Sequence, residues 1–332
     1  MLQTIRSTLL GLLAAAALAV AGTAQAGYIL TEVARAGTDS TSLFDINNGG
    51  TMVGYTTTGS GLGTVQRGFI TSDGVSFTEL SGPSGAVASA ALGISDTGIV
   101  VGSFNTSLGL DTDGNLVFGA SRGFLFNGGS YTTFDVAGAT ETFLRGISAD
   151  GRYVSGYFST TTQAGVGFVY DLLTASFRIT AAPGSQFNIM QGINSAGVVV
   201  GSDIMTDGTR PGVLYDIATG TRTDSSIAGA QRTALRSIED DGTLAGWFRD
   251  ALGETHGFVG SLTSYEQIDF AGATDTFVEG SNSAGMLVGS ALVGDVFRAF
   301  VAHKVPEPGS GALALAALAL AGAVTRRRVA RG

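Results

Sequence analysis

The sequence predicts an all-β fold, a six-bladed β-propeller of four-stranded antiparallel blades whose ring is closed by the N-terminal strand. Three observations lead there. A short apolar strand ending in Gly recurs six times, a tight-turn signature recurs before it, and an isolated N-terminal strand matches the one strand that the last repeat lacks. Composition agrees: of 332 residues 51 are Gly, 44% are hydrophobic and 14% are charged. That is too apolar for a disordered chain and lacks the three-residue period of collagen. The chain has no Cys, which excludes disulfides, thiol nucleophiles, thiolate zinc sites and iron-sulfur ligation.

The first element reads as a secretory signal peptide over residues 1–26. Arg6 precedes an apolar run over 9–21, and Ala24-Gln25-Ala26 supplies a small-x-small cleavage site, the usual order of charged, hydrophobic and cleavage regions. An uncleaved anchor is the alternative, but the apolar run is short for a membrane span.

The propeller is expected over 27–304. Its second strands fall at 51–54, 99–102, 153–156, 198–201, 243–246 and 286–289, with closing glycines 48, 54, 45, 45 and 43 residues apart. Turns of the form Ile-Ser/Asn-x-x-Gly, as at 94–98, 147–151 and 193–197, join each to a preceding first strand, because Asn, Asp, Ser and Gly supply tight hairpin geometry. Third strands begin at Gly68, Gly123, Gly167, Gly212, Gly257 and Ala299, and fourth strands follow, as at 131–136 and 265–270. The sixth repeat stops after its third strand. Residues 28–33 match 131–136 in their Tyr, their fifth-position acid and their final Val, so the N-terminal strand would complete that sheet, as ring closure requires.

A cation opens several third strands and an acid sits on the facing fourth strand, giving Arg67 with Glu79, Arg122 with Asp135 and His256 with Asp269. A structural ion pair per blade is the favoured reading over a ring of ligand contacts. The triplets Arg67-Gly68-Phe69, Arg122-Gly123-Phe124, His256-Gly257-Phe258 and Arg298-Ala299-Phe300 resemble the HAF extracellular repeats over 28–302. Val166 and Pro211 break the pattern in two blades. That resemblance implies an exported protein and little about activity.

The last element, 305–332, carries Val305, Pro306, Glu307 and Pro308, an Ala/Leu/Gly-rich stretch over 309–324, and Arg326, Arg327, Arg328 and Arg331. The arginines would hold the extreme C-terminus in the cytoplasm. The apolar stretch is a marginal transmembrane helix, better suited to a temporary stop than to permanent anchoring. The arrangement closely resembles the PEP-CTERM sorting signal of Gram-negative bacteria. The resemblance implies transient inner-membrane insertion, recognition by an exosortase near Pro306 to Pro308, and release to the cell surface or the extracellular polysaccharide matrix. A plain tail anchor is the alternative. Between the two ends lie 13 basic and 26 acidic residues, a net charge of −13, which repels phosphate backbones and argues against a nucleic-acid partner.

Function is less legible. The connections between second and third strands share one face with those between blades, and insertions there concentrate at 56–66 and 105–121; loops on a rigid scaffold are where binding usually resides. Tyr55, Tyr157 and Trp247 stand near that face as sugar-stacking platforms, with packing between blades as the alternative. Asp111, Asp113 and Asn115 alternate oxygen ligands around Gly114 as calcium loops do, yet no distal Glu follows; a polar turn in an extra hairpin is favoured, calcium being the one cofactor left open. There is no Ser-His-Asp order, no His-x-Glu cluster and no phosphate loop, so no catalytic residue is assigned. The reading is an exported noncatalytic binding or structural module associated with exopolysaccharide. The alternative is a secreted glycan-active hydrolase or lyase with acids drawn from several blades.

Overall fold

A computed structural model describes residues 24–25, 27–59, 64–111 and 116–305. The expected signal peptide, except Ala24 and Gln25, lies outside the described residues, as do the sorting segment beyond Val305 and residues 112–115.

The described chain is all β. Strands β1 (Ala24–Gln25) and β2 (Tyr28–Val33) open it. Then β3 (Ser40–Ile46), β4 (Met52–Thr58), β5 (Val65–Thr71) and β6 (Thr78–Leu80) form a four-stranded antiparallel sheet in chain order. The pattern repeats in β7 (Ala86–Ile94), β8 (Val100–Leu110), β9 (Leu116–Asn127) and β10 (Ser130–Phe134), and in β11 (Glu141–Ile147), β12 (Tyr153–Ser159), β13 (Val166–Asp171) and β14 (Ser176–Ile179). A fourth sheet holds β15 (Ile189–Ile193), β16 (Val198–Ser202), β17 (Gly212–Asp216) and β18 (Thr221–Ser225).

The remaining strands correct the expectation of six separate sheets. Four sheets are separate. Strands β19 (Arg232–Ile238), β20 (Leu244–Arg249), β21 (Thr255–Gly260), β22 (Tyr265–Ile268), β23 (Asp275–Ser281), β24 (Leu287–Val293) and β25 (Val296–Lys304) join β1 and β2 in one nine-stranded sheet. The cause is a single parallel bridge, Thr255 to Asp275, between β21 and β23. On either side of that bridge the strands pair antiparallel in the repeating order. The N-terminal strand β2 pairs with β25 along its whole length, from Tyr28 opposite Lys304 to Val33 opposite Ala299.

One device recurs in every innermost strand. The register of β3, β7, β11, β15, β19 and β23 against its neighbour slips after Leu43, Ala91, Leu144, Met190, Leu235 and Val278. Such a β-bulge bends the strand and re-aims a side chain. The strand-closing glycines explain how it fits: a Cβ at Gly54, Gly102, Gly156, Gly201, Gly246 or Gly289 would collide with a backbone carbonyl of the innermost strand beside it. The small residue just past each bulge lets the innermost strands meet around an axis. Cβ atoms at Gly93, Gly146 and Gly192 would each strike a backbone carbonyl of the next sheet, at Arg145, Gln191 and Arg236, and one at Gly280 would strike Asp45. Ser281 Oγ is hydrogen-bonded to Ser237 Oγ at 3.0 Å, and Ile94 N donates to Asp45 Oδ2 at 2.9 Å.

The hydrophobic core runs between sheets. Phe69, Phe124, Phe168, Phe258 and Phe300, each following a glycine or alanine that lies inside a third strand rather than at its start as expected, are fully buried, and each contributes about 1.5–3 kcal/mol by leaving water. Val33, Leu43, Phe69, Val288 and Ala299 belong to one cluster, so the last strands of the chain pack on the first four-stranded sheet.

Candidate functional site

The bulges build the site. The residue displaced at each register slip is Phe44, Leu92, Arg145, Gln191, Arg236 and Glu279, and all six line one narrow axial cavity of about 100 Å³. Asp45 near the end of β3 and the hairpin turns between first and second strands rim its far end, the turns supplying Asp96, Glu239 and Asp240 beside Asn47 and Asn194. These turns are tied to one another: Asn47 Nδ2 donates to Ser95 O at 3.1 Å, Asn194 Nδ2 to Glu239 O at 3.3 Å, and Asn282 Nδ2 to Asn47 O at 3.1 Å.

This turn end is acidic and its carboxyls are engaged. Asp45 keeps some accessible surface because it faces the channel, yet protein surrounds it. Burial pushes its carboxyl up to about 7, and nearby Glu239 and Asp96 add to the rise, while the backbone N–H groups of Ile94 and Ile46 oppose it. Burial also raises Glu239, which accepts from Ser281 Oγ. Deeper in, burial raises Glu279 against the pull of Arg236 and Arg145.

The opposite, loop end is aromatic. A cavity of about 400 Å³ there is lined by Phe44, Tyr55, Phe143, Tyr157, Phe277 and Phe297, with Arg145, Arg236 and Glu279 at its floor. Tyr55 stacks on Phe44 at 5.2 Å and Tyr157 on Phe143 at 4.6 Å, and both tyrosines are half-buried. Trp247 occupies the corresponding position of β20 but is only 6% exposed. Its ring carries the Arg232 guanidinium at 4.8 Å and that of Arg236 at 5.3 Å, and packs edge-on against Phe277 at 5.3 Å. The expected stacking residues therefore share one face, two open to the mouth and one covered by arginines.

A signal for this arrangement is visible in the sequence. The residue after each strand-closing glycine reads Tyr55, Ser103, Tyr157, Ser202, Trp247 and Ser290, an alternation of aromatic and Ser. The bulged positions have no such signature, because backbone register rather than residue type selects them.

The other candidates are placed as follows. Arg122 Nε donates to Asp135 Oδ2 at 2.8 Å, His256 Nδ1 lies 2.8 Å from Asp269 Oδ1, and Arg67 Nε lies 3.7 Å from Glu79 Oε1. Arg298 pairs with Glu32 of β2 at 3.1 Å, so the expected cation and acid rule extends to the N-terminal strand. Asp111 lies at the end of the β8–β9 hairpin, while Asp113 and Asn115 lie outside the described residues. A group that sequence reasoning missed is Asp250, Glu254 and His256, whose potential ligand atoms lie within 4.8 Å of one another. Asp250 Oδ1 there accepts from the backbone N–H groups of Leu252 and Glu254 at 2.9 Å each. Of the sorting motif only Val305 is described, and Pro306, Glu307, Pro308 and the arginines of the tail lie beyond it. Among the described residues no helix is long and apolar enough to cross a membrane.

Comparison with known proteins separates fold from destination. The chain is similar to the putative TolB of Agrobacterium tumefaciens, at 9% identity over 84% of this chain and 98% of that one, with a TM-score of 0.53. TolB of Acinetobacter baumannii aligns at 13% identity over 85% and 67% of the two chains, TM-score 0.47. Trypanosoma rangeli sialidase in complex with the inhibitor DANA aligns at 10% identity over 87% of this chain and 57% of that one, TM-score 0.49. The Agrobacterium alignment supports a propeller-like fold, and at that identity it shows nothing of activity. No curated protein sequence matches the chain. Residues 304–328 match the PEP-CTERM protein-sorting motif, which implies an exported protein that is processed by an exosortase and sorted by way of the membrane to the surface.

Proposed function

We propose that this is an exosortase-processed surface protein whose propeller acts as a noncatalytic binding module for extracellular polysaccharide. In this reading residues 1–26 are removed as a signal peptide, 27–304 form the propeller, and 305–332 form the sorting segment. The nine-stranded sheet works as two blades, which makes six with the four separate sheets, and the third-strand triplets are HAF-type. The observation that carries the function is the aromatic mouth, where Tyr55, Tyr157 and Phe297 meet solvent on the loop face. Flat apolar rings beside buried donors suit the apolar faces and hydroxyls of sugars, and binding sites are typically concave with a few placed polar groups. The second reading, a glycan hydrolase or lyase, is favoured by the raised carboxyl of Asp45. Against it, both Asp45 oxygens are held by backbone amides at the narrow turn end, away from the aromatic mouth.

A polysaccharide array read with and without calcium tests the proposal. Retention of at least one polymer with no change in its chain length is expected, and retention should be insensitive to calcium if Asp111, Asp113 and Asn115 form a plain turn. Shortening of any polymer during the incubation establishes the enzyme instead.

A further inference from the structure

Beside the aromatic mouth lies a larger cavity, of about 640 Å³, lined by Arg210, Arg232, Arg236 and Arg249 around Trp247 and Phe277. Four guanidinium groups share it in a protein of net charge −9. Two are strand partners, Arg232 on β19 directly opposite Arg249 on β20, and like charges facing across an antiparallel pair are destabilising. Arg210 arrives from the connection between β16 and β17 of the neighbouring sheet.

Local acids do not account for this concentration of charge. Arg236 Nε is 3.3 Å from Glu279 Oε2, and Arg249 Nη2 is 4.0 Å from Asp275 Oδ1. Among the described residues neither Arg210 nor Arg232 has an acidic partner. Burial, and then the charges of Arg236, Arg210 and Arg249, bring Arg232 down to about 10. Donors also go unused: Arg232 Nε and Trp247 Nε1 are buried with no hydrogen-bond partner, where native proteins pair nearly every buried polar group. The cavity thus has clustered positive charge, orphaned N–H donors and an opening beside the aromatic mouth, and among the described residues two of its four guanidinium groups have no acidic partner.

We propose that this cavity is an anion subsite that takes the carboxylate of a uronic acid residue in an acidic extracellular polysaccharide. The proposal rests on the binding-module reading and names its ligand class. Guanidinium forks match a planar carboxylate in paired hydrogen bonds, and Trp247, packed against Arg232 and Arg236, holds two of those forks in place. Arg236 and Phe277 line both this cavity and the aromatic mouth. A saccharide chain can therefore set its charged residue among the arginines while a neighbouring ring lies on Tyr55 or Tyr157.

The test is isothermal titration of the detergent-solubilised full chain with polygalacturonate, alginate and hyaluronan, each beside its carboxyl-reduced counterpart, with a sulfated galactan and inorganic phosphate as further arms. At least one uronate polymer should bind, and carboxyl reduction should weaken it about tenfold or more, as should added salt. Arg210→Ala, in an exposed loop without a structural partner, should reproduce that loss with folding unchanged. Arg232→Gln should lose binding yet raise the melting temperature of the unliganded protein, since it relieves the Arg232–Arg249 opposition. Equal binding of reduced and native polymers overturns the anion subsite and leaves the binding module standing. Preference for phosphate or the sulfated polymer overturns the carboxylate assignment, and binding of no polymer overturns both readings.

Discussion

At Gly156 a single added methyl would meet the carbonyl oxygen of Phe143, backbone that cannot swing aside as a side chain could. Gly37 differs: its φ is +81° and a Cβ there meets open space. Gly156→Ala should therefore cost about 3 kcal/mol through forced overpacking, and Gly37→Ala only about 1 kcal/mol through backbone strain, both read from urea denaturation. Gly156 and its five equivalents could be read from the chain because a steric demand fixes the residue type. The bulged residues could not, since Phe44, Leu92, Arg145, Gln191, Arg236 and Glu279 have nothing in common but their register. Asp45 is the odd member among the small residues that follow the bulges, and its folded-state pKa is raised to about 7 from 3.8. A carboxyl raised on folding stabilises fully below its unfolded pKa, and that stability is lost as pH climbs through the folded value. Denaturation midpoints compared between wild type and Asp45→Asn should show a wild-type decline between pH 4 and pH 7, at most about 1.4 kcal/mol per pH unit, that the variant lacks.

Among the elements, β2 has the clearest origin in sequence and the largest structural role. Its side chains alternate: Tyr28 and Leu30 are 2% exposed, while Ile29 is 42% exposed. Without it β25 would present a row of unpaired amides and carbonyls, which invite association. Leu30→Ala should lower stability by about 3 kcal/mol, whereas Ile29→Ala should stay within about 0.5 kcal/mol, as measured by thermal unfolding. Its pairing was legible because Tyr28, Glu32 and Val33 repeat the pattern of Tyr131, Asp135 and Val136. The insertion at 105–121 likewise read as an extra hairpin, and β8 and β9 are the long strands that form it. The fusion of two sheets through Thr255 and Asp275 was not legible, because one bridge depends on how two loops lie against each other.

At the scale of the whole molecule the channel is polar in its charge, with acids at the turn end and arginines and aromatics at the loop end. Sequence reasoning reached the choice of face, because strand alternation fixes which connections lie together. It did not reach the arginine cavity: Arg232, Arg236 and Arg249 share β19 and β20, but Arg210 joins them from the neighbouring sheet, and only the packing of the two sheets brings all four together. The pairing of Tyr28 with Lys304, and the hydrogen bond from Val305 N to Gly27 O at 2.7 Å, hold the entry and exit of the described fold at one spot on the turn side. The two ends of the described propeller therefore leave it beneath the same rim. The aromatics and arginines lie at the other end of the channel, so whatever is joined to the chain at either of these two points leaves their mouth uncovered.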